Sequence, residues 1–364
     1  MQGILWALII SAKAKLHFTG VNSAGLEFGI NRSQPSTIPG LLNTNYFAAK
    51  EASLISMIDS GVNTVRLCFS WERLISDLSN QQLNRGYLGL IEESVNTVTA
   101  RNATILLDMH NYARYFFKNT TLTQHVLGDG TLKQEHFVNS WKLISAHFES
   151  NNNVAFGLMN EPYNLPDNGA TYVNGVIEII REIRKNSQQY VFVCGTDWSG
   201  AHSWMYNNAE MMMPLVAEKF TNVVFDMHQY LDSDYSGTNV QCASARPDLY
   251  FAAATSWLIT NKQVAILGEI GVVSACIPKL NIVLDYLNTT SPWVGFTYWA
   301  AGPKWDNSYP MFYVESEQGV GGKTFEALQS YFVPPFRNND SKVSSAWRNA
   351  QPYWMAVALA LAIF

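Results

Sequence analysis

Charge is scarce in this chain. Only 15 % of its 364 residues are Asp, Glu, Lys or Arg, and they leave a net charge of -5 at pH 7. That balance excludes a nucleic-acid surface, which needs clustered Lys and Arg against phosphate. It also leaves little long-range field to gather a charged substrate, so a neutral, hydroxyl-rich ligand suits the surface better than a polyanion. Neither G-x-G-x-x-G nor G-x-x-x-x-G-K-[ST] occurs, and nothing marks a nucleotide or phosphate site. Cysteine is down to four residues, with no Cys/His grouping at zinc-ligand spacing, so neither a metal nor another cofactor is expected. No linker, low-complexity tract or repeat divides the chain.

What is abundant is apolar and aromatic. Hydrophobic residues make up 48 %, enough for a large core, and 11 Trp and 17 Tyr exceed what packing alone needs. Surplus aromatics line ligand clefts. The ends carry address-like segments. Ile4 to Ile10 is apolar and is followed by Ser11-Ala12-Lys13-Ala14, the order of a short secretory leader over residues 1–14. Five Asn-x-Ser/Thr sequons, at Asn31, Asn102, Asn119, Asn288 and Asn339, agree with secretion. The C-terminal segment 336–364 ends in ten apolar residues, Met355 to Phe364, too few to span a bilayer. With the small triplet Ser344-Ser345-Ala346 ahead of it, the tail has the order of a lipid-anchor signal, or else forms a terminal helix. Membrane association is expected only in the first case. Cys68 and Cys194 sit inside apolar strands and read as core residues. Cys242 and Cys276 follow two consecutive strands, where a disulfide can form in an oxidising compartment.

Short β-rich runs recur between helical patterns: Phe18–Asn22, Thr64–Phe69, Thr104–His110, Val154–Asn160, Tyr190–Gly195, Val223–His228, Val264–Glu269 and Trp293–Trp299. One intervening stripe is Phe47, Leu54, Ile55 and Ile58, closed by Gly61; another is Tyr172, Val173, Val176, Ile177, Ile180 and Ile183. Near-continuous apolar strands alternating with amphipathic helices predict an α/β protein with a parallel sheet. Eight such units predict one closed (β/α)8 TIM barrel over residues 15–335. In such barrels function collects at the C-terminal strand ends. Here those ends carry Arg66, Asp108-Met109-His110-Asn111, Asn160-Glu161, Asp197-Trp198, His228-Gln229-Tyr230, Glu269 and Trp299.

Glu161 and Glu269 each close an apolar strand, an expensive place for a carboxylate without a task. Two carboxylates aimed into one cleft are the minimum equipment for hydrolysing a glycosidic bond. The runs Asn160-Glu161-Pro162 and Gly268-Glu269 resemble glycoside hydrolase family 5. Asp108-Met109-His110-Asn111-Tyr112, Thr297 to Gly302, and Gln229 to Thr238 carry the likeness into its fungal-type endo-β-1,4-glucanase branch, over residues 17–332. The resemblance implies a retaining mechanism with Glu161 as acid/base and Glu269 as nucleophile. It implies that Arg66 and Tyr230 hold Glu269, that Asn160 meets the sugar 2-hydroxyl, and that His228 lies near Glu161. His110 is then expected near the glycone sugar and Trp299 stacked on a glucose ring. Trp198, Trp204 and Trp305 are weaker subsite candidates, with packing as the plain alternative. Asp108, Asp197 and Asp226 read as structural loop braces.

The expected activity is therefore a secreted endo-β-1,4-glucanase acting on a β-glucan polysaccharide or oligosaccharide. The alternatives are a β-glycanase of other specificity (mannan, xyloglucan, mixed-linkage glucan) and a carbohydrate-binding pseudoenzyme. The second would have lost a carboxylate, and both are present.

Overall fold

Alternation along each strand divides its side chains between two cores. The structure, a computed structural model, describes residues 16–30, 38–117, 123–243, 246–305, 309, 314–316 and 319–335. The leader, the tail and sequons Asn31, Asn119 and Asn339 lie outside these. Eight parallel strands close into a barrel in chain order: β1 (Phe18–Ser23), β2 (Thr64–Phe69), β3 (Thr104–Met109), β4 (Val154–Gly157), β5 (Val191–Cys194), β6 (Val223–His228), β7 (Ala265–Ile270) and β8 (Trp293–Ala301). The predicted barrel is the observed one, with boundaries shifted by up to three residues.

One core fills the barrel. Phe18, Leu106, Ala155, Phe192, Val224 and Ile266 meet inside it, and Phe18 contacts Phe192 edge-on at 5.2 Å. Their immediate neighbours, such as Ile105, Val193 and Leu267, face outward into the larger core beneath the helices. The helix Ala170–Ile183 buries every residue of its expected stripe. The helix Glu51–Asp59 buries Leu54 and Ile58 and stops before Gly61, whose φ of 108° suits a residue without a Cβ. Phe47 precedes that helix and is no part of it.

Two residues further up the same inward face, the plug gives way to polarity: Leu106 leads to Asp108, Phe192 to Cys194, Val224 to Asp226 and Ile266 to Gly268. The next inward position on β7 would be residue 270, with Glu269 facing the helices. A bulge prevents this. Met227 pairs with Leu267 but His228 pairs with Glu269, so β7 carries one extra residue and turns Glu269 into the barrel. An antiparallel hairpin, Arg114–Phe117 with Thr123–Val126, stands on the loop after β3 and was not legible as strand. Among the described residues no helix is long and apolar enough to cross a membrane.

Candidate active site

One cation organises the polar layer. Arg66 on β2 is fully buried; its Nη1 donates to Glu269 Oε1 at 3.0 Å and to Asn22 Oδ1 at 2.7 Å. Its Nη2 donates to Asn160 Oδ1 at 2.7 Å and reaches Asp108 Oδ1 at 3.0 Å, while Nε stands 3.6 Å from Asp226 Oδ2. Burial opposes the charge, but Asp108, Asp226 and Glu269 outweigh it and raise the guanidinium pKa. Asn22 is itself held, donating to the carbonyls of Gly268 (2.9 Å) and Thr297 (3.1 Å).

Glu269 receives a donor on each oxygen: Arg66 on Oε1, and the Tyr230 hydroxyl on Oε2 at 2.7 Å. Gly237 sits against the Tyr230 ring, where a Cβ would come within 2.8 Å. Glu161 follows β4 with φ at 42°, a left-handed backbone uncommon outside glycine and concentrated at functional sites. Its Oε1 lies 2.7 Å from His228 Nδ1, which is 3.6 Å from Glu269 Oε2. A carboxylate oxygen of Glu161 thus comes within 4.8 Å of one of Glu269. Burial first, and the neighbouring Glu269 charge second, raise the Glu161 pKa; His228 works against them. Burial disfavours a charged His228, but Glu269 and the bond toward Asp226 overcome it and raise its pKa.

His110 Nδ1 lies 2.7 Å from Asp108 Oδ2, and that carboxylate raises the imidazole pKa against the effect of burial. Its ring stacks on Trp299, centroids 5.3 Å apart and planes 18° off parallel. Asn160, oriented by Arg66, turns its Nδ2 to His110 Nε2 at 3.2 Å. Oxygen, nitrogen and sulfur donors do cluster here: Glu161-His228-Glu269, Cys194-Asp226-His228 and Cys68-Asp108-His110. Arg66 already places a positive charge beside these carboxylates, which disfavours a metal ion there.

Above this layer opens a cleft of about 760 Å³. Trp198 lines it from the β5 side, 52 % exposed and stacked on Tyr163 at 5.0 Å. Trp299 and Tyr309 line it from the β8 side. Aromatic walls over two carboxylates suit a polymer of hydroxyl-bearing rings.

The sequence profile described as Cellulase (glycosyl hydrolase family 5) matches residues 21–304. The chain belongs to glycosyl hydrolase family 5. It is 33 % identical over 333 residues to endo-beta-1,4-glucanase A of Emericella nidulans, covering 90 % of this chain and 96 % of that one. Among solved structures it is similar to the endo-beta-1,4-glucanase Xac0029 of Xanthomonas axonopodis pv. citri, with a TM-score of 0.77 and 31 % identity, over 87 % of this chain and 98 % of that one. It is equally similar to XacCel5A in complex with cellopentaose, with a TM-score of 0.77 and 32 % identity, over 87 % and 99 % of the two chains.

Within this family 5 barrel, Arg66, His110, Asn160, Glu161, His228, Tyr230, Glu269 and Trp299 come together as the strand ends suggest. Three expectations need correction. Trp204 has no exposed surface and packs on Phe225 and Trp257, so it is core. Trp305 meets Trp299 edge-on at 6.0 Å and stacks on Tyr309, bracing the wall without lining the cleft. Asp108 and Asp226 brace no loop: they are buried partners of Arg66, and Asp108 also holds His110. Asp197 does stay at a loop, on the cleft rim with φ at 49°. Cys242 and Cys276 are bonded, Cα atoms 5.7 Å apart, while Cys68 and Cys194 are buried thiols. Asn22, Tyr112 and Tyr309 escaped the sequence reading, although Asn22 ends its expected strand and had a readable signal there.

Proposed function

We propose that this chain is a retaining endo-β-1,4-glucanase, with Glu161 as acid/base and Glu269 as nucleophile. The observation that carries the reading is the unequal setting of two carboxylates that approach, oxygen to oxygen, within 4.8 Å. Retaining enzymes hold the pair about 5–5.5 Å apart, whereas inverting ones leave roughly 6.5–9.5 Å for a water. Glu269 is anchored on both oxygens, as a nucleophile needs to be; Glu161 has its pKa raised, as a proton donor near neutrality needs. Glu269 attacks the anomeric carbon while Glu161 gives its proton to the departing glycosidic oxygen. Glu161 then takes a proton from water, whose oxygen attacks the same carbon and frees Glu269. Arg66 and Tyr230 steady the carboxylate in both steps, and Asn160 offers Nδ2 toward the sugar beside it. The relatives named as endo-β-1,4-glucanases, and the cellopentaose held by XacCel5A, support a β-1,4-glucan substrate.

A reducing-end assay on a panel of β-glucans and mannans tests the specificity. Glu161→Gln and Glu269→Gln should each lower hydrolysis by several orders of magnitude with the fold intact, because each removes one half of a two-step mechanism. A Glu269→Gln enzyme keeping more than about a tenth of the rate, one decade or 1.4 kcal/mol, removes Glu269 as nucleophile. The protein is further proposed to be secreted, which the Cys242–Cys276 bond supports. Cell fractionation that finds the protein retained inside the producing cells overturns this.

A further inference from the structure

Arg66 holds Glu269 and His228 holds Glu161, and one buried group stands behind both holders. Asp226 lies on the inward face of β6, one inward position below His228. Its Oδ2 is 3.6 Å from Arg66 Nε and its Oδ1 is 3.5 Å from His228 Nε2. Among the described residues Oδ1 has no closer donor, and Arg66 Nε has no closer acceptor. The carboxylate cannot turn elsewhere. Gly268 packs directly on it, where a Cβ would come within 1.7 Å of Oδ1, and Ser199 Oγ pins its backbone by donating to the Asp226 carbonyl at 2.5 Å.

A counter-ion for Arg66 is an incomplete account of Asp226. Asp108 and Glu269 already reach that guanidinium more closely, at 3.0 Å each. The groups around the imidazole are unequally placed. Nδ1 meets Glu161 Oε1 at 2.7 Å and Glu269 Oε2 at 3.6 Å. Nε2 meets Asp226 and, at 3.9 Å, Cys194 Sγ. Burial first, and the Asp226 charge second, push the Cys194 thiol up to about 11, so it stays neutral. Asp226 is therefore the charge that Nε2 faces. A buried carboxylate on one ring nitrogen decides what the other nitrogen can do.

We propose that Asp226 is a positioning residue: it keeps a proton on His228 Nε2 and so fixes the imidazole whose Nδ1 serves Glu161. The inference rests on the acid/base role proposed above for Glu161. When Glu161 passes its proton to the departing oxygen, it is left as a carboxylate. His228, protonated on both nitrogens, donates from Nδ1 to that carboxylate and keeps both its protons. In the same step Glu269 becomes an ester and loses its charge, so Glu161 and Asp226 are the carboxylates left on either side of the imidazolium. Burial opposes a charged His228, and without Asp226 the ring sheds a proton and Glu161 loses its donor as its negative charge develops. Asp226 thus acts on protonation of the leaving group, through His228.

The test compares phenyl β-cellobioside, which needs acid help to depart, with 2,4-dinitrophenyl β-cellobioside, which needs little. Asp226→Asn keeps the shape of the side chain and removes its charge. Its loss in kcat/KM should be greater on the phenyl glycoside by about tenfold or more, because any loss through Arg66 falls on both substrates and cancels in the ratio. In a His228→Asn background the same substitution should add no further selectivity. Equal losses on the two glycosides, or a selective loss that persists without His228, overturn the proposal. Nitrogen NMR of the histidine-labelled wild-type chain decides independently of how the variant folds, with the His228 signal assigned by its absence from His228→Asn. Nε2 should carry a proton from about pH 5 to 8, and a bare Nε2 in that range overturns the proposal. If the wild-type chain hydrolyses neither glycoside, the glucanase reading itself has failed.

Discussion

Arg66 carries more of the site than either glutamate does alone. With Arg66→Leu, Asp108, Asp226 and Glu269 lose their shared cation inside the barrel. Breaking a buried ion pair from one side costs about 3–5 kcal/mol, so a fall of that size in unfolding free energy is expected from denaturant midpoints. Arg66→Lys should fall in between, since one ammonium cannot reach acceptors that a planar guanidinium spans. A loss under about 1 kcal/mol for Arg66→Leu, the scale of a surface pair, would show that the network does not hold the barrel mouth. His228 makes a different claim, about pH. Glu161 works as an acid only while protonated; burial and Glu269 raise its pKa, and His228 lowers it. Replacing His228 with Asn removes the lowering influence, so the alkaline limb of kcat/KM should move to higher pH even as the rate falls. A limb that moves to lower pH assigns it to another group. Arg66, Glu161 and Glu269 were legible because charged residues inside or closing apolar strands have no cheap explanation. The partnership of Arg66 with Asp108 and Asp226 was not, because the three residues stand on different strands and only barrel closure brings them together.

At the scale of elements, the decisive feature is the bulge on β7. Strict alternation from Ile266 would turn Glu269 toward the helices, and the pairing offset beside His228 is what turns it inward. Gly268 permits that path: a Cβ there would lie 1.7 Å from Asp226 Oδ1. Gly268→Ala should therefore displace the β7 end and lower kcat by about a hundredfold or more, the scale expected of a misplacement near 1 Å. Circular dichroism and kcat per folded molecule on one preparation check this; an active Gly268→Ala enzyme means that the bulge has room to spare. The strand series was readable because buried parallel strands are near-continuous apolar runs. The bulge was not, because the sequence shows an ordinary strand ending in Gly-Glu. The hairpin after β3 was missed for a related reason: it is pinned by tertiary bonds such as Phe116 to Glu72, and its short strands carry little pattern of their own.

Across the whole molecule, the Cys242–Cys276 bond ties the loop after β6 to the turn after β7, the two strands that carry His228 and Glu269. The pair is separated by 34 positions, and the chain-entropy model puts such a crosslink at about 3–4 kcal/mol. Cys242→Ser with Cys276→Ser should lower stability by about that much in non-reducing denaturant titrations, and a double variant as stable as the parent would place the bond's value elsewhere. The eightfold recurrence of apolar strand and amphipathic helix determined the barrel, because eight such units suffice to close the sheet, one face packed on itself and the other under the helices. The order of polar residues along the chain determined which end of the barrel is the site, because a charge at a strand end has no other place to go. Only the tertiary structure decided which tryptophans meet the ligand: Trp204 is buried against Trp257 and Trp198 is open to the cleft, yet composition cannot tell them apart. It alone decided that Asp108 and Asp226 serve Arg66 and that Glu269 faces inward. These are facts of distance and direction between residues remote in sequence, and a linear pattern records neither.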